Sequence, residues 1–356
     1  MKTLLWLSVL LASANATAVT TDPGWTRALD EYLYPAQPNA IRTDSVLVIE
    51  DGKVIYEKHR EPKAKRHILW SISKSITSAL IGIGVKDGKI RVEDSICKYF
   101  PELSGSPKCA MTVDHVLQWG SGLNWNEEYE NAKNVLDSSV IQMLYGDGVR
   151  DVLGFVLKQP LESVPGKMWR YSSGDSVLLQ GVLKKAYGDE YKELPRKRLF
   201  GPLGMNDTMW EADPSGTYGG ASYVYASAWD LSRIGELYLN DGVWQGARIL
   251  PEGWVKYSTS VADAFAQGER KDHKYPWVAG HHWWLNRVVP AFRAERAWPS
   301  APEDTFVGIG HWGQNLVVIP SRKIVAVRLG DDRQHGYSTD EFLKRVLEPR
   351  TQKEAK

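Results

Sequence analysis

Residues 70–81 read Trp70-Ser-Ile-Ser-Lys-Ser-Ile-Thr-Ser-Ala-Leu-Ile81, a stretch that is small and apolar on nearly every side. The pattern continues to Val85 and stops at Asp87-Gly88, so it predicts a helix buried at the centre of the molecule. Ser71 lies at the start of this helix and Lys74 lies one turn on, on the same face. A lysine in a dry setting has its ammonium form disfavoured and can accept a proton. The stretch therefore predicts an activated serine nucleophile.

The Ser-x-x-Lys spacing occurs a second time, as Ser95-Ile-Cys-Lys98. Two common residues recur at a fixed spacing by chance, so the surroundings have to decide between the copies. The second copy follows Glu93-Asp94 and precedes Pro101, without an apolar run that would bury a helix start. We therefore predict Ser71, and not Ser95, as the nucleophile.

The pattern on both sides of this helix predicts an α+β fold. Residues 45–50 and 53–57 are β-rich runs around Asp51-Gly52, which is typical of a two-residue hairpin turn. Further helices and strands follow the same periodicity rules. The helices are predicted at 24–33, 228–239 and 338–347, and the strands at 277–285, 316–319 and 324–329.

The middle of the chain differs from its two ends. Residues 89–220 contain helical segments broken by proline and glycine, with few convincing strands. We therefore expect a discontinuous sheet domain from residues 22–88 and 221–350, in which helices pack on an antiparallel sheet, and a mainly helical lobe from residues 89–220.

Two further motifs could complete a catalytic site. Tyr171 lies in Trp169-Arg-Tyr-Ser-Ser-Gly, and a tyrosine near a lysine can relay the serine proton to a leaving group. The segment Gly308-Ile-Gly-His-Trp-Gly-Gln314 precedes a strand, and its glycines would let a backbone N–H approach the serine and bind an oxyanion. Taken alone, a tyrosine such as Tyr171 is more often a core residue than a catalytic one, and a histidine such as His311 is more often structural.

The three motifs together resemble a known family. Ser71-Ile-Ser-Lys74, Tyr171-Ser-Ser173 and His311-Trp-Gly313 are similar, in this order, to the boxes of the serine β-lactamase and penicillin-binding protein superfamily, in its class C-like branch. Within that branch, residues 70–81 and 119–129 are most similar to the 6-aminohexanoate-dimer hydrolases and related esterases. The resemblance extends over roughly residues 45–330. It implies a β-lactamase-like fold, catalysis by Ser71, Lys74 and Tyr171, and a substrate-holding role for Tyr129.

The departures from the family pattern concern the substrate. His311 replaces the lysine of the third box, and an unperturbed imidazole is mostly neutral near pH 7. Ser173 replaces the asparagine of the second box, which removes an amide and leaves a shorter hydroxyl donor.

We predict an oxyanion hole made by the backbone N–H groups of Ser71 and Gln314. The remaining predicted substrate-binding residues are Tyr129, Ser173, His311, Trp312 and Gly313.

The sequence thus predicts a serine hydrolase that cleaves a small ester, amide or peptide through an acyl-enzyme on Ser71, without a metal or organic cofactor. Two alternatives stay open: a β-lactamase or D-Ala carboxypeptidase, and a non-catalytic penicillin-binding-like receptor. An α/β-hydrolase is disfavoured because no Gly-x-Ser-x-Gly pentad occurs. Gly174-Asp-Ser-Val177 is superficially similar to the Gly-Asp-Ser box of another lipase family, but it lies mid-chain beside Tyr171. The pairs Asp272-His273 and His281-His282 lack the spacing of a metal site.

The composition limits partners and compartment. The 356 residues carry 44 Lys+Arg against 43 Asp+Glu, a balance that argues against nucleic acid as a partner. A basic start at Lys2, an apolar run at 4–12 and small residues up to Ala18 predict a signal peptide at 1–18, with a membrane anchor as the alternative. The mature protein is then expected to be periplasmic or secreted, with no stable membrane span. The oligomeric state is not predicted.

The two cysteines, Cys97 and Cys109, are twelve positions apart. An oxidising compartment would allow them to form a disulfide, while two free buried thiols are the alternative. In the chain-entropy model so short a loop contributes about 3 kcal/mol or less. A bridge would therefore restrain a local loop and would not determine the fold.

Overall fold

A computed structural model describes residues 23–35, 41–129, 134–271, 275–292 and 295–354. The predicted signal peptide and the pair Asp272-His273 lie outside these ranges. The helices are α1 Pro23–Leu33, α2 Ile72–Lys86, α3 Val113–Leu117, α4 Ser139–Tyr145, α5 Val152–Lys158, α6 Ser173–Tyr187, α7 Gly201–Leu203, α8 Ala228–Leu239, α9 Trp254–Ser258, α10 Asp263–Gln267 and α11 Thr339–Glu354. The strands are β1 Thr43–Glu50, β2 Lys53–His59, β3 His67–Ile68, β4 Met168–Trp169, β5 Met209–Trp210, β6 Val224–Ala226, β7 Val243–Trp244, β8 Ala247–Arg248, β9 Glu269–Arg270, β10 Val278–Ala279, β11 Trp284–Leu285, β12 Phe306–Gly310, β13 Gln314–Ile319 and β14 Ile324–Gly330.

The centre of the fold is a seven-stranded sheet in the order β10-β11-β12-β13-β14-β1-β2, with every neighbouring pair antiparallel. The hairpin predicted at Asp51-Gly52 is confirmed, and both turn residues have positive φ, 47° and 72°. Such a turn matches the twist of the two strands that it joins. The α+β fold predicted from the sequence is therefore confirmed.

Helix α2 lies between the sheet and the helices that follow it in the chain. It packs on β12 and β13 on one side and on α6 on the other. Every residue from Ile72 to Gly84 is buried, as the small apolar pattern predicts. At Gly82, a Cβ would lie 2.6 Å from the Trp254 ring, so the close packing of this helix requires glycine there. Its amino end, with Ser71, reaches the edge of the cavity described below.

The predicted strand at 277–285 is wrong. Its residues form two two-residue strands, β10 and β11, joined by a tight turn that contains His281 and His282. His282 has φ 69°, a left-handed conformation that no strand contains, and its carbonyl accepts a hydrogen bond from Ser75 at 2.7 Å. The apolar run therefore bends because its turn is buried against α2.

Residues 89–220 are mainly helical, but two short strands tie them to the rest of the chain. β4 pairs in parallel with β9, and β5 pairs with β6. Both partners, β6 and β9, belong to the predicted sheet domain. The division of the chain at residues 88 and 220 stays a prediction.

Two features bear on the predicted export. Cys97 and Cys109 form a disulfide with an S–S distance of 2.04 Å, which answers the question that their spacing left open. Among the residues described, no helix has the length and apolar character needed to cross a bilayer. Secretion itself stays a prediction.

Candidate active site

Ser71 lies at a sharp turn between β3 and α2. It occupies the N-cap of α2, and Trp70 before it has φ 48°, which is costly for a bulky residue. The Trp70 ring is held edge-on to His311 and Trp312, with centroids 5.9 and 5.4 Å away. The Ser71 side chain caps none of the described N–H groups of the helix. The turn therefore presents the serine hydroxyl to the cavity instead of using it to end the helix.

Lys74 is the partner of this hydroxyl. Its Nζ donates to Ser71 Oγ at 2.9 Å and to the carbonyl of Ala221 at 3.2 Å. The side chain is 1% exposed, and this burial lowers the pKa of Lys74 to about 8, against an opposing attraction from Glu127. The predicted pair of serine and dry lysine is thus present, and near pH 8 the amine is neutral in about half of the molecules.

Tyr171 lies in the loop between β4 and α6. The Lys74 ammonium lies 4.9 Å from the centroid of its ring. Trp119, Tyr275 and Trp284 pack against the same ring, with centroid distances of 4.8, 4.6 and 5.2 Å. Packing on these sides fixes the phenol beside the serine–lysine pair.

A buried carboxylate that the sequence did not single out lies next to these groups. Glu127 is 3% exposed and accepts the indole N–H of Trp125 at 2.6 Å and the hydroxyl of Tyr129 at 2.7 Å. It also accepts the backbone N–H of Ser173 at 2.9 Å and its hydroxyl at 2.5 Å. The Ser173 hydroxyl, predicted as a donor to substrate, therefore donates to Glu127. Nothing in the sequence distinguishes Glu127 from its neighbour Glu128 except the two flanking aromatic residues.

The turn after β12 is held from below by a buried arginine. Arg328 is fully buried, and its guanidinium donates to the carbonyls of Gly313 at 2.8 Å and Trp312 at 3.3 Å. Trp312 has φ 56°, and Asp332 N–H donates to its carbonyl at 3.0 Å. These bonds fix the left-handed turn and with it the orientation of His311. The positive charge of Arg328 lies under the turn, facing carbonyl oxygens.

The register of β12 bears on the predicted role of Gln314. In an antiparallel ladder the N–H groups of alternate residues face opposite neighbours. The backbone carbonyl of Thr305 accepts the N–H of Asn286, on the side of β12 that faces β11. By this alternation the backbone N–H groups of Val307 and Ile309 point to the same side, and Ile309 lies beyond the end of β11. The alternation turns Gln314 toward Gly310, its partner across the hairpin. The prediction that Gln314 supplies an oxyanion N–H is therefore at odds with the register, which leaves Ile309 facing the cavity edge.

The side chain of Gln314 is also engaged. Its Nε2 donates to the Gly330 carbonyl at 2.5 Å, and its Oε1 accepts the Gly330 N–H at 3.0 Å. Gln314 thus ties β13 to the end of β14 and stabilises the hairpin from behind.

A cavity of about 300 Å³ opens in front of Ser71. It brings together six predicted site residues: Ser71, Tyr129, Tyr171, His311, Trp312 and Gly313. Lys74 lies behind Ser71, and Ser173 and Gln314 are not among the described residues that line the cavity. Tyr275, Trp277 and Trp284 extend one wall, so aromatic side chains dominate the space beside the serine.

Two other serines do not have this arrangement. Ser95 Oγ donates to the carbonyl of Cys109 at 2.7 Å, while Lys98 pairs with Asp94 at 2.7 Å, so the second Ser-x-x-Lys copy contains no serine–lysine contact. Ser176, from the Gly-Asp-Ser segment, lies 2.9 Å from the Nε2 of His282. Ser176 and His282 are both almost completely buried, so a substrate cannot reach them.

Asp175, at the start of α6, makes the stability of the folded protein depend on pH. It is fully buried, Ser121 donates to its Oδ1 at 2.7 Å, and no described residue hydrogen-bonds its Oδ2. Burial raises the pKa of Asp175 to about 7. Because the folded pKa exceeds the unfolded value, the folded state holds this proton more tightly and loses stability as pH rises from about 4 to 7.

We expect Asp175→Asn to gain stability relative to the unmodified protein as pH rises from 5 to 8, by about 1–4 kcal/mol, since the amide never ionises. Urea unfolding at both pH values measures this difference. Asp147→Asn, at an exposed position, is the matched control and should show no such trend. Equal differences for Asp175→Asn at pH 5 and pH 8 would contradict the assignment.

Comparisons with known proteins concern the family and the fold of this chain. A family model described as "Beta-lactamase" matches residues 34–341. The 6-aminohexanoate-dimer hydrolase of Paenarthrobacter ureafaciens is 27% identical over 296 residues, which are 81% of this chain and 72% of that protein. Among solved structures, the hydrolase EstCE1, described with promiscuous acyltransferase activity, has a TM-score of 0.68 at 16% identity and covers 91% of this chain and 97% of its own. A class C beta-lactamase in complex with cefoxitin has a TM-score of 0.63 at 17% identity, with 92% and 99% covered. At these identities the two structures share the fold.

Proposed function

The chain belongs to the beta-lactamase family, and on that premise we propose that it is a serine hydrolase that cleaves an ester or amide bond through an acyl-enzyme on Ser71. The observation that carries this proposal is the 2.9 Å hydrogen bond from the buried Lys74 amine to Ser71 Oγ, at the edge of a cavity. A nucleophile within hydrogen-bond reach of a base whose charge is disfavoured is the arrangement that acyl transfer needs.

In the first half-reaction, Ser71 Oγ bonds to the substrate carbonyl carbon and its proton passes to neutral Lys74. Tyr171, packed over Lys74, relays a proton to the departing oxygen or nitrogen as the carbonyl–leaving-group bond breaks. In the second half-reaction, water attacks the acyl carbon, gives its proton to the same relay, and Ser71 leaves as the hydroxyl. Each proton that is taken from a nucleophile is therefore returned to a leaving group.

The oxyanion that forms in both steps needs two N–H donors. Ser71 supplies the first from its own backbone at the amino end of α2, where the helix dipole favours negative charge. We assign the second to Ile309, because the register of β12 points its N–H past the end of β11 and the residue lines the cavity with Ser71. Val307 cannot serve, since it is paired with Trp284.

The walls of the cavity support a small neutral acyl group as the preferred substrate. Tyr171, Tyr275 and Trp284 give one side flat apolar surface, and His311 occupies the place of the third-box lysine. Unlike lysine, a histidine does not supply a permanent cation there. The two arginines near the turn already have partners: the buried Arg328 hydrogen-bonds the turn carbonyls, and Arg333 lies 4.0 Å over the Trp312 ring and pairs with Asp331.

The location that the proposal implies for this protein is the periplasm or the medium.

We expect p-nitrophenyl acetate or butyrate to exceed nitrocefin in kcat/KM by at least about tenfold at pH 7.5, because nitrocefin recognition depends on a carboxylate. Tenfold corresponds to about 1.4 kcal/mol of differential transition-state binding. The matched variant His311→Lys should narrow this ratio by improving nitrocefin. If the unmodified protein hydrolyses nitrocefin at least as well as the esters, β-lactamase becomes the better assignment. A stable penicilloyl adduct without turnover would instead support the receptor alternative.

A further inference from the structure

Glu127 has the hydrogen-bond pattern of an ionised carboxylate. Its Oε1 accepts the hydroxyls of Tyr129 and Ser173, and its Oε2 accepts the indole N–H of Trp125 and the backbone N–H of Ser173. An ionised carboxylate offers about four lone-pair sites, whereas a protonated acid would turn one O–H toward a donor. The four donors come from the 119–129 segment and from the start of α6. One buried negative charge therefore joins the two loops that carry Tyr129 and Tyr171.

These contacts orient two hydroxyl groups of the site. The hydroxyls of Tyr129 and Ser173 both donate a hydrogen bond to Glu127, at 2.7 and 2.5 Å. Hydrogen bonds to a charged acceptor are about twice as strong as neutral ones, so the two side chains are held firmly. Tyr129 lines the cavity, where its ring lies 5.1 Å from that of His311. Glu127 thus fixes one wall of the cleft without reaching into it.

The same charge acts on the base. Burial lowers the pKa of Lys74, and the Glu127 carboxylate is the attraction that opposes this effect. Among the described residues, the titratable groups that interact with Glu127 are Lys74 on α2, Tyr129 on its own loop, and Asp175 on α6. On the outer side, a groove that Glu127 also lines contains Glu128, Glu162, Arg170 and Lys271, of which the last two pair with Glu162 at 2.6 and 4.0 Å.

We propose that Glu127 is a positioning residue of this site, whose buried carboxylate ties the Tyr129 wall of the cleft to the start of α6 and acts electrostatically on the Lys74 amine. The inference rests on the proposed serine hydrolase function. It concerns a residue that acts through Lys74 and Tyr129 and does not touch the substrate carbonyl.

The test compares Glu127→Gln with Glu127→Asp and with Glu128→Gln, the neighbouring acid. The first readout is the rate of fluorophosphonate labelling from pH 5 to 10. Glu127→Gln removes the attraction between the carboxylate and the Lys74 ammonium. The acidic limb of the plot of labelling rate against pH should therefore move to lower pH by about half a unit or more. Glu127→Asp keeps the charge and should leave the limb in place while labelling more slowly, since a shorter side chain cannot reach both loops. Glu128→Gln should match the unmodified protein. A uniformly slower Glu127→Gln enzyme with an unmoved limb would overturn the proposal.

The second readout separates this inference from the proposed function. Protein labelled with ¹³C at the lysine ε-carbon is titrated by NMR, and a Lys74→Arg variant assigns the signal. A lower Lys74 midpoint in Glu127→Gln supports the inference even if no labelling occurs, in which case the hydrolase proposal alone fails. An unchanged midpoint overturns the inference even in an active enzyme. Should Glu127→Gln not fold, a midpoint in Glu127→Asp that falls below that of the unmodified protein would overturn it as well.

Discussion

Ser71→Ala is expected to reduce ester turnover to background, a fall of at least about four orders of magnitude, and to leave the fold intact. The hydroxyl is the proposed nucleophile, and its loss removes little packing because it caps none of the described N–H groups of α2. Initial rates with p-nitrophenyl butyrate, together with a thermal melt, measure both halves of this expectation.

Ser95→Ala is the matched control, since Ser95 heads the other Ser-x-x-Lys copy. Its hydroxyl donates to the Cys109 carbonyl and accepts the Cys97 N–H at 3.2 Å. The variant should keep full turnover and lose about 0.5–2 kcal/mol of stability, as a capping residue does. An inactive Ser95→Ala enzyme beside an active Ser71→Ala enzyme would refute the mechanism.

Lys74→Ala and Tyr171→Phe should each lower kcat by about two to four orders of magnitude, the range of a positioned acid or base. The two side chains lie in contact, with the ammonium 4.9 Å from the ring centroid. We assign them to one proton relay, so the double variant should lose much less than the product of the two single losses. Steady-state rates of the four proteins, all checked for folding by circular dichroism, give this comparison. Losses that multiply would mean that Lys74 and Tyr171 perform separate steps.

The parts of the fold that could be predicted from the sequence are those set by local pattern. The all-round apolar character of residues 72–84 is sufficient to predict a buried helix, and Asp51-Gly52 is sufficient to predict the hairpin, because each depends on neighbouring residues. The turn at His281–His282 could not be predicted this way. Its left-handed conformation is stabilised by distant contacts, such as the bond from Ser75 on α2 to the His282 carbonyl.

The same distinction holds for the site. Ser71, Lys74 and Tyr171 could be predicted as candidates because the Ser-x-x-Lys spacing carries a chemical requirement and the three motifs follow in order. Glu127 could not, since its role depends on Ser173, which is 46 positions away in the chain. The prediction that Gln314 supplies the second oxyanion donor is at odds with the register for a related reason: only the pairing of β12 and β13 indicates which N–H groups face the hairpin partner.

The most direct test of the central claim is the location of the phosphonyl adduct that a serine-directed probe forms in place of the acyl group. The unmodified protein is reacted with a fluorophosphonate, reduced, digested with trypsin, and analysed by mass spectrometry. Cleavage after Arg66 and Lys74 releases the peptide 67–74, and cleavage after Arg91 and Lys98 releases the peptide 92–98, so the two Ser-x-x-Lys copies are separated. We predict one adduct, on the peptide 67–74, with fragment ions that place it on Ser71 and not on Ser73. An adduct on the peptide 92–98, or on the peptide that contains Ser176, would contradict the account.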